Sequence, residues 1–145
     1  MKRILVVCLG NICRSPIGEG LLKYHAIKND LQIHVESAGT SGWHQGEKAD
    51  PRSIEVMRGH GHNITNQRSR VLVASDLHTF DYILVMDSQN LIDVNGIGAG
   101  TARVERFVNG QDVPDPYHGG ANGFEQVYSM IDDAARKWVK TWSKT

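Results

Sequence analysis

"ILVVCLGNICRSP", residues 4–16, begins as a strand and ends as the start of a helix, and its reading decides the fold. Ile4 to Cys8 is an unbroken aliphatic and β-branched run, the pattern of a parallel strand covered on both faces. Gly10 and Asn11, the residues most tolerant of left-handed backbone angles, mark where the chain is expected to bend. Ser15-Pro16 reads as the cap and first position of a helix reaching about Asn29. A strand, a short polar turn and a helix make one half of a βαβ unit.

Outward from that stretch, Ile33 to Ser37 alternates like a second strand, and Ala38 to Asp50 is a glycine-rich loop. Pro51 opens a helix ending near Gly59 or Gly61. Tyr82 to Met86 is a third, buried strand; Ser88 to about Val94 is helical and is stopped by "NGIGAG" at 95–100; Arg103 to Phe107 is a weaker fourth strand. Phe124, Val127, Ile131, Ala134, Trp138 and Trp142 recur at helical spacing behind an Asn122/Glu125 capping box, which predicts an amphipathic terminal helix. Strands alternating with helices predict a doubly wound α/β fold of about four parallel strands with helices on both faces. In such sheets ligands gather beyond the carboxyl ends of the strands, at the switch point. The 4–16 turn falls there.

The chain of 145 residues is the length of one domain with a full core, and 1–145 is expected to form a single domain. Sixteen Lys and Arg balance sixteen Asp and Glu, which disfavours nucleic acid or a membrane surface as partner. Met1-Lys2-Arg3 before Ile4-Leu5-Val6-Val7 imitates a signal peptide, but the apolar run ends at Gly10-Asn11. The only cysteines, Cys8 and Cys13, would close too small a loop for a structural staple. Free thiols suit a reducing compartment, so a cytoplasmic setting is expected. The seven histidines show no metal-ligand spacing, and neither a metal nor another cofactor is expected.

Between a strand's end and a helix's start, successive backbone N–H groups can point inward and join the positive end of the helix dipole, an oxyanion cradle. The loop Leu9, Gly10, Asn11, Ile12, Cys13, Arg14, Ser15 lacks the Gly-Lys-Ser/Thr ending of a nucleoside-triphosphate loop. It holds a sulfur instead: Cys8 enters first and Arg14 closes it. Inward amides, a helix N-terminus and a guanidinium all favour a thiolate. Ser15 is placed to donate to that sulfur, and the Arg14 fork matches two phosphoryl oxygens.

"CLGNICRSP" at 8–16, "SAGTSGW" at 37–43, "FDYILVMD" at 80–87 and "DPYHG" at 115–119 resemble, in order and end to end, the low-molecular-weight protein tyrosine phosphatases. The resemblance implies a flavodoxin-like sheet, hydrolysis of phosphotyrosine through a cysteinyl-phosphate on Cys8, and no metal. It implies Asp115 as general acid and then base, with Asp112 a weaker competitor that lacks the Asp-Pro-Tyr context. It implies that Asn11 holds the loop, that Ser37 supports Asn11, and that Asp87 lies behind the site. Trp43 and Tyr117 fall where the family walls a flat ring. His118 departs from the family, many members of which have a second tyrosine there. Ile12 favours phosphotyrosine, since related arginine phosphatases usually carry threonine at that place. The implied partners are tyrosine-phosphorylated proteins, bacterial tyrosine kinases among them, with phosphate and other oxyanions as inhibitors. Cys13 stands open between loop packing and a reversible, protective disulfide with Cys8. Two other readings are weaker: an arsenate reductase would need further relay cysteines, and a pure phosphotyrosine-binding module would not need Cys8, Arg14 and Asp115 together.

Overall fold

The computed structural model describes residues 1–117, 119 and 121–144, with Ala121 described by its backbone alone. Four strands, β1 (Lys2–Cys8), β2 (Ile33–Gly39), β3 (Tyr82–Val85) and β4 (Arg103–Arg106), form an all-parallel sheet in the order β2-β1-β3-β4. The helices are α1 (Arg14–Lys28), α2 (Pro51–Gly59), α3 (Asp76–Thr79), α4 (Ser88–Ile97) and α5 (Ala121–Ser143). This is the doubly wound arrangement expected from the alternation of strands and helices, and the flavodoxin-like sheet that the resemblance implies. None of the described helices is long and apolar enough to cross a membrane.

The central strands are apolar over Ile4–Cys8 of β1 and Ile83–Val85 of β3 because both their faces are covered. Ile4, Val6, Leu84 and Met86 pack with α1 and α5 on one side, while Leu5, Val7, Ile83 and Val85 meet Leu77 and Val94 of α3 and α4 on the other. Helix α1 lies so close to the sheet that a Cβ on Gly18 would stand 2.9 Å from Val6 and 3.0 Å from Met86. The predicted α5 stripe is buried, apart from Trp138, which is partly covered, stacks on Trp142 and donates its indole N–H to the Phe107 carbonyl at 2.8 Å.

Element boundaries differ from expectation for physical reasons. Strand β2 continues through Ala38 to Gly39, because Cys8 still pairs with Gly39 in the β1 register. Helix α1 starts at Arg14, so Pro16 is its third residue rather than its first; any of the first four N–H groups is free of an intrahelical partner, so proline costs nothing there either. Ser15 therefore lies inside the helix and is not its cap. Helix α4 runs to Ile97, past the expected stop at Val94, and ends at Gly98 with φ 152°. Its N-terminus carries a capping box that the sequence reading placed elsewhere: Asp87 accepts from Asn90 N–H, and the Asn90 side chain returns the contact. The Asn122/Glu125 box is not formed as such, since Asn122 is already helical and Glu125 instead meets His60 Nε2 at 2.6 Å. The four-residue α3 was not anticipated; it is too short to show a period.

From β1 the chain passes through α1 to β2 on one side, then crosses to β3 on the other. The carboxyl ends of β1 and β3 part at this switch point, and the loop after Cys8 occupies the crevice.

Candidate active site

The loop's shape is set by what holds its carbonyl groups. Cys8 O accepts from Thr40 N (2.9 Å), Leu9 O from Ser41 N (2.9 Å), and Ile12 O from Asp50 N (2.8 Å). Gly10 O accepts from the Ser69 hydroxyl at 3.0 Å and Cys13 O from the Ser53 hydroxyl at 3.1 Å. Peptide units are planar, so turning these carbonyls outward to the scaffold aims the following N–H groups, those of Leu9, Gly10, Asn11, Cys13 and Arg14, the opposite way. Five amides and the first turn of α1 thus turn toward one concavity, an arrangement whose dipoles suit an oxyanion.

Of the two expected bends, only Asn11 has positive φ, at 58°. Its side chain supports that conformation: Nδ2 donates to Ser15 Oγ (2.7 Å) and Ser37 Oγ (2.9 Å), and Oδ1 accepts from Arg70 N (3.0 Å). Gly10 serves close approach instead, since a Cβ there would meet the His44 ring at 3.0 Å. Gly39 is needed for the same reason, with a virtual Cβ 2.8 Å from Leu9 O.

Cys8 Sγ lies 3.1 Å from Ser15 Oγ. That oxygen also accepts from Asn11 and keeps its own proton free to donate, so Ser15 can serve the sulfur as a donor. Ser37 passes its own proton to Glu19 Oε1 at 2.6 Å, and Lys23 holds the other Glu19 oxygen at 2.6 Å. A hydrogen-bonded chain therefore runs from the surface of α1 to the sulfur.

Arg14 is buried, with 2% of its side chain exposed, and donates to Asp87 Oδ2 at 2.6 Å and to the Val113 carbonyl at 2.9 Å. Its other terminal nitrogen stands 3.8 Å from Asp115 Oδ2. Burial pulls the guanidinium's pKa down, but its interactions with Cys8, Asp87 and Asp115 outweigh that and hold the value above normal. Asp115 accepts from Tyr117 N–H through Oδ1 at 3.0 Å, which turns its second oxygen toward Arg14. Asp112 faces away: one oxygen takes Ser88 N, Ser88 Oγ and Arg106, and these bonds hold its carboxyl below the usual range.

A cavity of about 240 Å³ opens over the loop, with Cys8 and Arg14 at its base and Asp115, Trp43, His44 and Tyr117 on its sides. Trp43 is 78% exposed. Ile12 and Cys13 also line it. Cys13 is a free thiol, as is Cys8; burial pushes its pKa far up, and Asp50, Cys8 and Asp115 add to the rise. His118 lies outside the described residues.

Apart from Asp112, which faces away, and His118, which lies outside the described residues, the residues singled out from sequence converge on one crevice or directly support it. Several others that shape it were missed: Glu19, Gly39, His44, Ser69, Arg70 and Val113. Their contacts span long sequence separations, and only the Asp50-Pro51-Arg52 helix start carried a local signal, with Asp50 Oδ1 accepting from Arg52 N at 2.8 Å.

A free thiol beneath a ring of amides, closed by a buried arginine and faced by a loop aspartate, defines a cysteine-dependent phosphatase. The chain belongs to the low molecular weight phosphotyrosine protein phosphatase family, whose model matches residues 3–145. It is 36% identical to a low molecular weight phosphotyrosine protein phosphatase of Schizosaccharomyces pombe, over 96% of each chain. Among solved structures, a protein tyrosine phosphatase from Entamoeba histolytica with Hepes in its active site superimposes with a TM-score of 0.93 at 32% identity, covering 99% of this chain and 98% of that one. Vibrio vulnificus Wzb in complex with benzylphosphonate gives 0.87 at 32% identity, over 97% and 98%.

Proposed function

We propose that residues 1–145 act as one catalytic domain that hydrolyses phosphotyrosine on proteins in two steps. In the first, the Cys8 thiolate attacks phosphorus as the ester P–O bond breaks, and Asp115 gives its proton to the departing phenolate. In the second, water attacks the cysteinyl-phosphate, Asp115 takes up a water proton, and the P–S bond breaks to release phosphate and restore Cys8. The loop amides and the Arg14 fork bind the three equatorial oxygens, whose charge needs stabilising throughout. Ser15 hydrogen-bonds the sulfur as nucleophile and leaving group. Asn11 and Ser37 keep the cradle's shape, and Asp87 holds Arg14 from behind. The outward-tied carbonyls around the Cys8 sulfur support this reading above all.

Trp43 and Tyr117 line the cavity of about 240 Å³ together with Cys8 and Arg14, and such aromatic walls favour aryl over compact phosphates. The benzylphosphonate bound by Wzb, a ring carrying a phosphorus oxyanion, is in keeping with that preference. Ile12 favours phosphotyrosine over phosphoarginine. The substrates are tyrosine-phosphorylated proteins of the cytoplasm, bacterial tyrosine kinases among them, and inorganic phosphate competes. Under peroxide, a Cys8 sulfenic acid condenses with the Cys13 thiol to a disulfide and water, shielding the nucleophile from further oxidation. Asp50, beside Cys13, is placed to take the thiol proton.

Kinetics with an aryl phosphate test the mechanism. Cys8→Ser abolishes turnover, and Asp115→Asn slows it by about 10²–10⁴-fold with phosphate inhibition unchanged. Retained hydrolysis by Cys8→Ser refutes the covalent route. For the redox step, mild peroxide followed by intact-mass measurement shows loss of two hydrogens; two free thiols, or an overoxidised Cys8 alone, reject it.

A further inference from the structure

Arg52, at the start of α2, touches both the loop that holds Cys8 and the segment that carries Asp115. Its Nε and Nη2 donate to the two oxygens of Asp50 at 3.0 Å each, a bidentate pair. Asp50 is anchored in turn to the phosphate loop, donating its N–H to Ile12 O at 2.8 Å and facing the Cys13 thiol. On its other side the guanidinium lies 5.5 Å above the Tyr117 ring and 4.6 Å above the Phe124 ring, and Nη1 donates to the Gly119 carbonyl at 3.4 Å. Tyr117 is the residue whose N–H orients the Asp115 carboxylate. The Asp115 segment reaches the cavity from between β4 and α5, and Arg14 lies beyond hydrogen-bond length from Asp115, at 3.8 Å. An arginine fixed to the phosphate loop on one edge and stacked on the Asp115–Tyr117 segment on the other sets the distance between them.

We propose that Arg52 is a positioning residue that latches the Asp115–Tyr117 segment over the phosphate loop and so aims the general acid at the leaving oxygen. The latch rests on Asp115 being that acid. The guanidinium suits the task because it lies over two aromatic rings while its edge pairs with a carboxylate, a combination that an ammonium group lacks. It does not line the cavity over Cys8. Losing it therefore affects proton delivery and leaves the cradle intact.

The test compares phenyl phosphate, whose phenolate needs a proton to leave, with 2,4-dinitrophenyl phosphate, whose phenolate does not. Arg52→Gln lowers kcat/KM for phenyl phosphate about tenfold, as expected of a misaimed catalytic group, and changes the dinitrophenyl ester less than about twofold. Inhibition by inorganic phosphate stays the same, which also reports that the variant's cradle is folded. In an Asp115→Asn background Arg52→Gln adds no further loss on phenyl phosphate. Equal losses on both esters, no loss on either, weakened phosphate inhibition, or full additivity with Asp115→Asn each overturn the latch. If Asp115→Asn itself fails to separate the two esters, the acid assignment falls; if it separates them and Arg52→Gln does not, the latch alone falls.

Discussion

Replacing Asp87 by alanine leaves the Arg14 guanidinium buried without its nearest carboxylate. Removing one member of a buried pair costs about 3–5 kcal/mol, because the remaining charge keeps its desolvation penalty. Asp87 is 21% exposed against 2% for Arg14, so water reaches one side of the gap, and the lower end, about 3 kcal/mol, applies. Alanine also removes the Asn90 N–H acceptor at 2.7 Å, a cap worth about 1 kcal/mol. The Val113 carbonyl at 2.9 Å remains as Arg14's neutral partner. The expected loss is about 4 kcal/mol in all. For 145 residues the unfolding entropy is about 0.3 kcal/mol per degree, so Tm falls by about 13 °C. Asp87→Asn keeps one oxygen, for Arg14, and turns its NH2 toward the Asn90 N–H, so it gives up the charge assistance and the cap, about 2–3 kcal/mol. Urea unfolding at neutral pH, read by two probes to check cooperativity, measures both variants. A loss below about 1 kcal/mol for the alanine variant, or equal losses for alanine and asparagine, refutes the account of Arg14 as a buried cation held from behind by Asp87.

Two further outcomes follow from the loop. Burial, Asp50, Cys8 and Asp115 raise the Cys13 pKa in the fold, so its stabilising contribution is complete below the unfolded thiol value of about 8.5 and is lost as pH rises beyond it. Between about pH 8.5 and 10 the unfolding free energy falls by up to about 1.4 kcal/mol per pH unit, and Cys13→Ala flattens that slope; identical slopes in denaturant titrations count against it. Gly39→Ala places a methyl 2.8 Å from Leu9 O and 3.1 Å from Asn11 N, both backbone atoms, and overpacking of that kind costs about 1–3 kcal/mol. Phosphate inhibition weakens in the same variant, whereas unchanged inhibition shows that Gly39 does not set the cradle.

Sequence and structure agree where a residue's environment leaves a local imprint. Strands β1 and β3 are buried on both faces, so their composition alone identifies them. Helix α5 has one buried stripe, and its spacing shows in the order of residues. Cys8, Arg14 and Asp115 were legible because they stand inside motifs. Local chemistry misled where it offered two equivalent answers. Gly10 and Asn11 both tolerate a bend, and only the partners of Asn11, Ser37 and Arg70, select it; Ser37 is 26 residues away and Arg70 is 59. Ser15 looks like a cap in isolation, but its hydroxyl is committed between Asn11 and the sulfur. The capping box at Asp87 was hidden for a related reason, since that aspartate serves Arg14 with one oxygen and α4 with the other.

These long-range ties have a consequence for catalysis. The loop conformation is held by the end of β2, by Thr40, Ser41, Asp50 and Ser53 after it, and by Ser69 and Arg70, none of which faces the cavity. A cradle held in this way stands ready before phosphate arrives, so its amides need little reorganisation when charge develops on the oxygens. Its shape is then a property of the folded whole: substitutions at Gly39, Ser69 or Glu19 are expected to alter phosphate inhibition although none of the three lines the cavity. On the proposed function, phosphate is expected to stabilise the whole chain as RT ln(1 + [L]/Kd), and a defect anywhere in these ties to reduce that stabilisation by the affinity it removes; thermal melts with and without phosphate measure both.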